Sequence, residues 1–280
     1  MAPPATAPPL TILEPPRRWD GPPLRELWRF RDLLGTLALR DLKVRYKQTV
    51  LGLFWVLAQP FAAAGVFAFV FGRVASLEAP GGVPYFLFTF AGLQAWLLFS
   101  NTLTRSTNAL VGNFQLVQKV YFPRLILPLS TVVASLLDFL IVMVLFTVLL
   151  LLQWHLPGVE VLWAPVCLAL LLALALGLGF ASSALAVAYR DVRHAQPVLT
   201  QLLLYASPVA YAVTVVPERY RGVYLLNPIA PILETFRYAL LGTGDPPWTA
   251  FGIAAAVCVV VFIGGMIVFT RLDRMFADVI

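Results

Sequence analysis

The sequence predicts an all-α integral membrane protein: six transmembrane helices, an N-terminal amphipathic helix in the membrane interface, and an external re-entrant segment before the last span. Three observations carry this. Of 280 residues, 60% are hydrophobic and only 12% charged, against roughly 25% charged in a soluble domain. So few polar groups could not cover a soluble surface of this size. Five stretches, 48–72, 79–104, 161–189, 195–217 and 246–270, hold no Lys, Arg, Asp or Glu, and a sixth, 125–152, is interrupted only by Asp138. Each is long enough for a bilayer crossing, which takes about 20 apolar residues. Finally, nine of the 20 Lys and Arg residues precede Gln48, directly ahead of the first apolar run. That is the charge pattern of a cytoplasmic flank.

Residues 1–23 contain eight prolines and no apolar core, which predicts an extended or disordered tail. No cleavable signal peptide is expected, because the first apolar run begins only near Val50. Residues 24–47 form the interfacial helix. Leu27, Phe30, Leu34 and Leu37 repeat at steps of three and four, and Arg25, Arg29, Asp32, Thr36, Arg40, Lys43 and Lys47 make a polar stripe. A basic amphipathic helix beside a span lies in the interface plane; an ordinary soluble helix is the alternative. The remaining chain, 48–280, is the six-span domain, with spans at about 51–72, 84–104, 125–152, 162–188, 196–215 and 248–270. The fifth contains Pro197 and Pro208, so a kink or break is expected there.

Six spans put both termini on one side of the membrane. That side collects sixteen of the basic residues and the other only Arg73, Arg219, Arg221 and Arg237, which places both termini in the cytoplasm. The connection 218–245 is too long for a turn. Within it, Pro228 to Leu241 is short and apolar, with Glu234 and Arg237 at i, i+3. It reads as a helix dipping back from outside; a solvated loop is the alternative.

Several functions are excluded. The net charge of +6 is concentrated at membrane flanks, whereas nucleic-acid binding needs a solvated basic face. Cys167 and Cys258 both sit inside apolar runs, as packing residues rather than a disulfide framework. Two histidines and no Cys/His cluster give no transition-metal site. There is no G-x-x-x-x-G-K-[ST] phosphate loop, no G-x-S-x-G elbow and no H-E-x-x-H. The acids are scattered, which favours a transport or scaffold role over catalysis.

Polar residues within spans are costly in lipid unless they pack inward or line water. Trp55 and Gln59 lie one turn apart in span one. Gln94, Asn101, Thr104 and Asn108 share a face of span two and its cytoplasmic end, and Gln201, Tyr205, Pro208 and Tyr211 do so in span five. Such faces suit a wet conduit, in which aromatics meet the apolar faces of sugar rings. They suit helix–helix contact equally. Asp138 is the one acid well inside a span, expected to be buried, either protonated or paired, in a structural role; a proton relay is the alternative, which no second intramembrane acid or His supports. Span four carries Ala173, Gly177, Ala181 and Ala184 on one face, a pattern for close helix packing. The cytoplasmic loop 105–124 is amphipathic and suits docking of a soluble partner; a plain connector is the alternative.

The stretch Arg40-Asp41-Leu42-Lys43-Val44-Arg45-Tyr46, followed by Thr49-Val50-Leu51-Gly52 and Trp55, resembles the approach to the first span of polysaccharide ABC-exporter permeases. Lys119-Val120-Tyr121-Phe122-Pro123-Arg124 with Leu127-Pro128 is similar to their loop between spans two and three. Tyr189-Arg190-Asp191-Val192 resembles their turn after span four. Asn227-Pro228, with Glu234 and Arg237, resembles their external re-entrant segment. The resemblance covers about residues 24–275. It implies a permease that exports a lipid-linked polysaccharide such as an O-antigen, teichoic acid or capsule across the bacterial cytoplasmic membrane. It implies a homodimer paired with two copies of a separate ATPase. This chain then carries no cofactor and no catalytic residue, ATP and Mg being held by the partner. Arg29, Arg40, Asn113, Phe114, Gln115, Lys119 and Arg124 become candidates for the ATPase contact. Trp55, Gln59, Gln94, Asn101, Thr104, Asn108, Gln201, Tyr205 and Tyr211 become candidates for the channel lining. A drug or small-lipid ABC permease and a membrane-bound glycosyl or acyl transferase are the competing readings.

Overall fold

The computed structural model describes residues 24–47, 52–153 and 157–273. The proline-rich tail, the Thr49-Val50-Leu51 part of the first motif and the C-terminal residues from 274 lie outside the described residues. All regular structure described is helical: α1 (Leu24–Arg29), α2 (Arg31–Lys47), α3 (Gly52–Phe67, running on as a π-helical turn Ala68–Val74), α4 (Tyr85–Gly112), α5 (Phe114–Lys119), α6 (Ile126–Leu152), α7 (Trp163–Ala188), α8 (Val192–Tyr205), α9 (Glu218–Tyr224), α10 (Ile229–Leu241) and α11 (Trp248–Asp273).

Five helices among the described residues are long and apolar enough to cross a membrane: Phe54–Val74, Tyr85–Gly112, Ile126–Leu152, Val159–Ala188 and Trp248–Asp273. Burial ranks them. The apolar window of Tyr85–Gly112 is 78% buried and that of Phe54–Val74 only 11%, so α4 is the hub and α3 lies at the periphery. Around α4 pack α6, α7 and α10, and α11 packs on α7. The α7–α11 contact is a backbone approach. A Cβ at Gly177 would sit 2.5 Å from the Val261 carbonyl oxygen, and one at Gly265 would collide with the Gly177 carbonyl. The small face expected on span four is thus used at Gly177, and Ala184 is fully buried.

The bundle has two distinct ends. At one, Leu37 of α2 packs with Leu110, Phe122, Leu125, Ile126, Phe180 and Phe269, and Leu27, Phe30 and Leu34 lie against the same cluster. The apolar stripe read from the sequence is therefore the face by which the N-terminal helices dock. At the other end, Trp163 and Trp248 meet with ring centroids 4.8 Å apart, and Phe251 and Tyr238 pack beside them. Aromatic clusters of this kind suit a membrane–water boundary.

The stretch expected as the fifth span, 196–215, where Pro197 and Pro208 led to the expectation of a kink or break, is not one continuous helix. The helix α8 ends at Tyr205; its 14 residues rise about 21 Å, short of a hydrocarbon core of roughly 30 Å. Turns and a short 3-10 turn, Val213–Val215, complete the stretch. Pro208 has no N–H to continue the helix. The apolar composition persists past the break because Ser207, Val209, Ala210, Ala212 and Val213 are buried against other helices. The expected short apolar helix is α10, and eleven of its residues are buried, so it packs into the bundle against α4 and α7. It ends on Gly242 at φ 63°, the left-handed position that glycine takes without Cβ strain.

Candidate functional site

The broken stretch 196–215 poses a physical problem that Asn227 and the residues of α10 solve. Irregular backbone at membrane depth is tolerated only where its polar groups find partners. Arg237 is 2% exposed and donates from Nη2 to the Val209 carbonyl at 2.5 Å, from Nη1 to the Tyr211 carbonyl at 3.3 Å and from Nε to the Phe88 carbonyl at 3.2 Å. Its guanidinium lies 4.1 Å from the Phe88 ring centroid. Glu234, one turn earlier, accepts from Arg237 Nη1 at 3.4 Å and from the Val213 N–H at 2.8 Å. Asn227 donates to the Ala206 carbonyl and the Ser207 hydroxyl, and its own oxygen accepts from the Ile229 N–H. The Tyr85 hydroxyl serves the Ala210 carbonyl at 2.8 Å. Asn227, Glu234 and Arg237, the three residues singled out after the expected fifth span, therefore hold the break after Tyr205. Gly92 of α4 makes room: a Cβ there would fall on the guanidinium.

A second polar region lies between α3, α4 and α6. Gln59, Gln94, Asn101, Ser135 and Asp138 line a cavity of about 70 Å³ together with Val56, Leu97, Leu98 and Phe139. That is room for water. Gln94 is 2% exposed and its amide nitrogen has no partner among the described residues. The structure thus brings Gln59, Gln94 and Asn101 together. Trp55 lies away from them, exposed on α3 with its ring against Phe54. Thr104 faces α8, accepting from the Gln196 amide at 3.1 Å, and Asn108 is exposed and donates to the Thr104 carbonyl.

On α8, Gln201 and Tyr205 are exposed neighbours with a 3.4 Å amide–hydroxyl contact. Tyr211 does not extend their face, because the helix has ended. Its hydroxyl turns back toward the Tyr205 carbonyl and shares a 2.8 Å hydrogen bond with Tyr224.

The acid inside span three is paired. Asp138 Oδ2 lies 2.9 Å from Arg45 Nη2 and 2.5 Å from Arg105 Nη2, while Oδ1 accepts from the Tyr46 hydroxyl. Burial first, and then the bond to Asp138, push the Tyr46 hydroxyl up to about 12, so it stays a proton donor across physiological pH. Arg40 donates to the Asn113 side chain at 2.6 Å, joining α2 to the α4–α5 corner, and Arg124 pairs with Asp273 at 2.9 Å, joining the turn before α6 to the end of α11. Arg29, Phe114, Gln115 and Lys119 are exposed, with Tyr121 73% exposed beside them. Leu116 and Val117 seat α5 on the inner cluster. The expected partner-facing residues therefore divide: Arg40, Asn113 and Arg124 brace the end where α2 docks, and the rest are exposed.

The sequence profile of the ABC-2 type transporter family matches residues 32–241, from α2 to the end of α10. The chain belongs to the ABC-2 type transporter family. It is similar to the O-antigen export system permease protein RfbA of Klebsiella pneumoniae, 28% identical over 250 residues covering 89% of this chain and 95% of that protein. It is 30% identical to RfbA of Myxococcus xanthus over 257 residues, 91% of this chain and 98% of that protein. With the polysialic acid transport protein KpsM of Escherichia coli it shares 24% over 249 residues, 85% and 93% of the two chains. This ABC-2 chain is thus a multi-pass permease subunit, as the resemblance implied. Sequence reasoning missed Arg45, Tyr46 and Arg105 as partners of Asp138 and Gly92 as the space for the Arg237 guanidinium. One signal was available for them: an ionised Asp or Arg in an apolar run requires a counter-group.

Proposed function

We propose that this ABC-2 permease exports a lipid-linked, O-antigen-like polysaccharide across the bacterial cytoplasmic membrane. It works as a homodimer driven by two copies of a separate ATPase that holds ATP and Mg. The observation that carries this is the near end-to-end similarity to O-antigen export permeases of about the same length. Physical features support it. The flanks of α3 and α8 are unburied in a single copy, with Trp55 61% and Tyr205 64% exposed, which suits helices that meet a second copy and a conduit. Aromatic and amide groups there give a sugar chain weak, repeated contacts, as transport requires. In this reading α8 and the clamped segment after it make the fifth of six crossings, and both termini are cytoplasmic.

The test is purification of the tagged permease from its own membranes. A co-purifying phosphate-loop ATPase whose hydrolysis is stimulated by the lipid-linked glycan supports export. Stimulation by apolar drugs or short-chain lipids alone would favour the small-substrate reading. Sugar or acyl transfer by the isolated chain, with no ATPase, would overturn the proposal.

A further inference from the structure

Three side chains from two other helices converge on Asp138: Arg45 and Tyr46 from the last turn of α2, and Arg105 from α4. One guanidinium would neutralise one carboxylate, and Arg105 does so from a position 20% exposed. The additional pair comes from the interfacial helix, whose opposite face is open to the cytoplasm. The covalent chain leads from α2 into α3, not into α4 or α6, so this node is a polar route from α2 to the hub of the bundle. The apolar contact of Leu37 and Ala38 with the inner ends runs in parallel. Apolar burial is non-directional and lets surfaces slide, whereas charge-assisted bonds fix position.

A coupling element needs two discrete arrangements. The 70 Å³ cavity lies directly beside the carboxylate and contains the unpartnered amide nitrogen of Gln94. Asp138 therefore has polar space to turn into when α2 withdraws Arg45 and Tyr46, and Arg105 can follow it. We propose that Asp138 is a positioning residue for energy coupling, tying α2 through Arg45 and Tyr46 to α4 and α6 so that displacement of α2 at the cytoplasmic face is carried into the spans. This rests on the export reading, in which an ATPase pushes on that face.

The test uses the full complex in proteoliposomes, with Cys167 and Cys258 replaced by alanine and spin labels on cysteines at Leu140 of α6 and Val260 of α11, both exposed. In the otherwise unaltered protein, ATP changes the label separation; no change there would overturn the export reading itself. In Arg45→Gln and Tyr46→Phe, ATP hydrolysis continues, the separation no longer responds, and glycan exported per ATP falls on the order of tenfold, the equilibrium equivalent of one charge-assisted hydrogen bond. Arg45→Lys restores much of the response. If both variants keep the ATP-driven change, or lose thermal stability while the surviving protein exports at the normal ratio, the node is only structural and the inference fails.

Discussion

Replacing Gly92 by alanine adds one methyl group to a helix, yet it strikes the centre of the clamp that holds the broken span. The new Cβ would lie 2.8 Å from both Cζ and Nε of Arg237 and closer still to Nη2. Those nitrogens hold the carbonyls of Val209 and Phe88. Arg237 is packed on all sides, so the guanidinium cannot retreat without breaking these bonds. Hydrogen bonds from a charged group contribute about 1.5–3 kcal/mol each, so losing two costs about 3–6 kcal/mol. The gain in helix propensity from Gly to Ala returns at most about 1 kcal/mol. A net loss of roughly 2–5 kcal/mol remains. Gly252→Ala is the matched control, because a Cβ there meets nothing within 4 Å. Thermal unfolding in detergent, followed by the monodisperse fraction on size exclusion, should show Gly92→Ala melting on the order of 10 °C lower and Gly252→Ala unchanged. Equal melting of the two variants would refute the clamp.

The adjacent glycines of α11 give a second contrast. Gly265→Ala forces a Cβ into the Gly177 carbonyl and should cost about 1–3 kcal/mol, while Gly264→Ala, with open space around it, should melt like the parent. For topology, a cysteine at Val159, 78% exposed beside the tryptophan end, should react with an impermeant thiol reagent in intact cells, and one at Tyr121 should react only after permeabilisation; the reverse pattern would invert the assignment of sides. Tyr205→Ala should slow glycan export several-fold without lowering the yield of folded protein, because the ring is exposed and supports no core. A loss of yield matching the loss of export would make it a packing residue.

How much was legible in the sequence follows from where each residue finds its partners. The helices α4, α6, α7 and α11 could be read from composition, because a long uncharged run has no other stable state in lipid. The N-terminal helix could be read from its apolar steps, and Leu37 proved to be the buried contact. The break after Tyr205 was signalled by Pro208 but not located. What makes the break tolerable is supplied by Asn227 from the turn before α10, by Glu234 and Arg237 from α10 and by Tyr85 from an earlier helix. No local pattern encodes that pairing. Asp138 was flagged by its cost, but its partners Arg45 and Arg105 sit on two other helices, and each read alone as an ordinary flanking charge. Tyr211 was assigned to the face of Tyr205 by helical spacing, which fails once the helix stops between them.

ATP-driven export of a polysaccharide can be followed in inverted vesicles. In vesicles containing the permease and its ATPase, loaded with lipid-linked glycan in the outer leaflet, added ATP should progressively protect the glycan from an externally added glycosidase. Protection should be lost when the ATPase cannot hydrolyse ATP. Glycan that stays fully accessible with ATP present, or becomes protected without the ATPase, would contradict ATP-driven export.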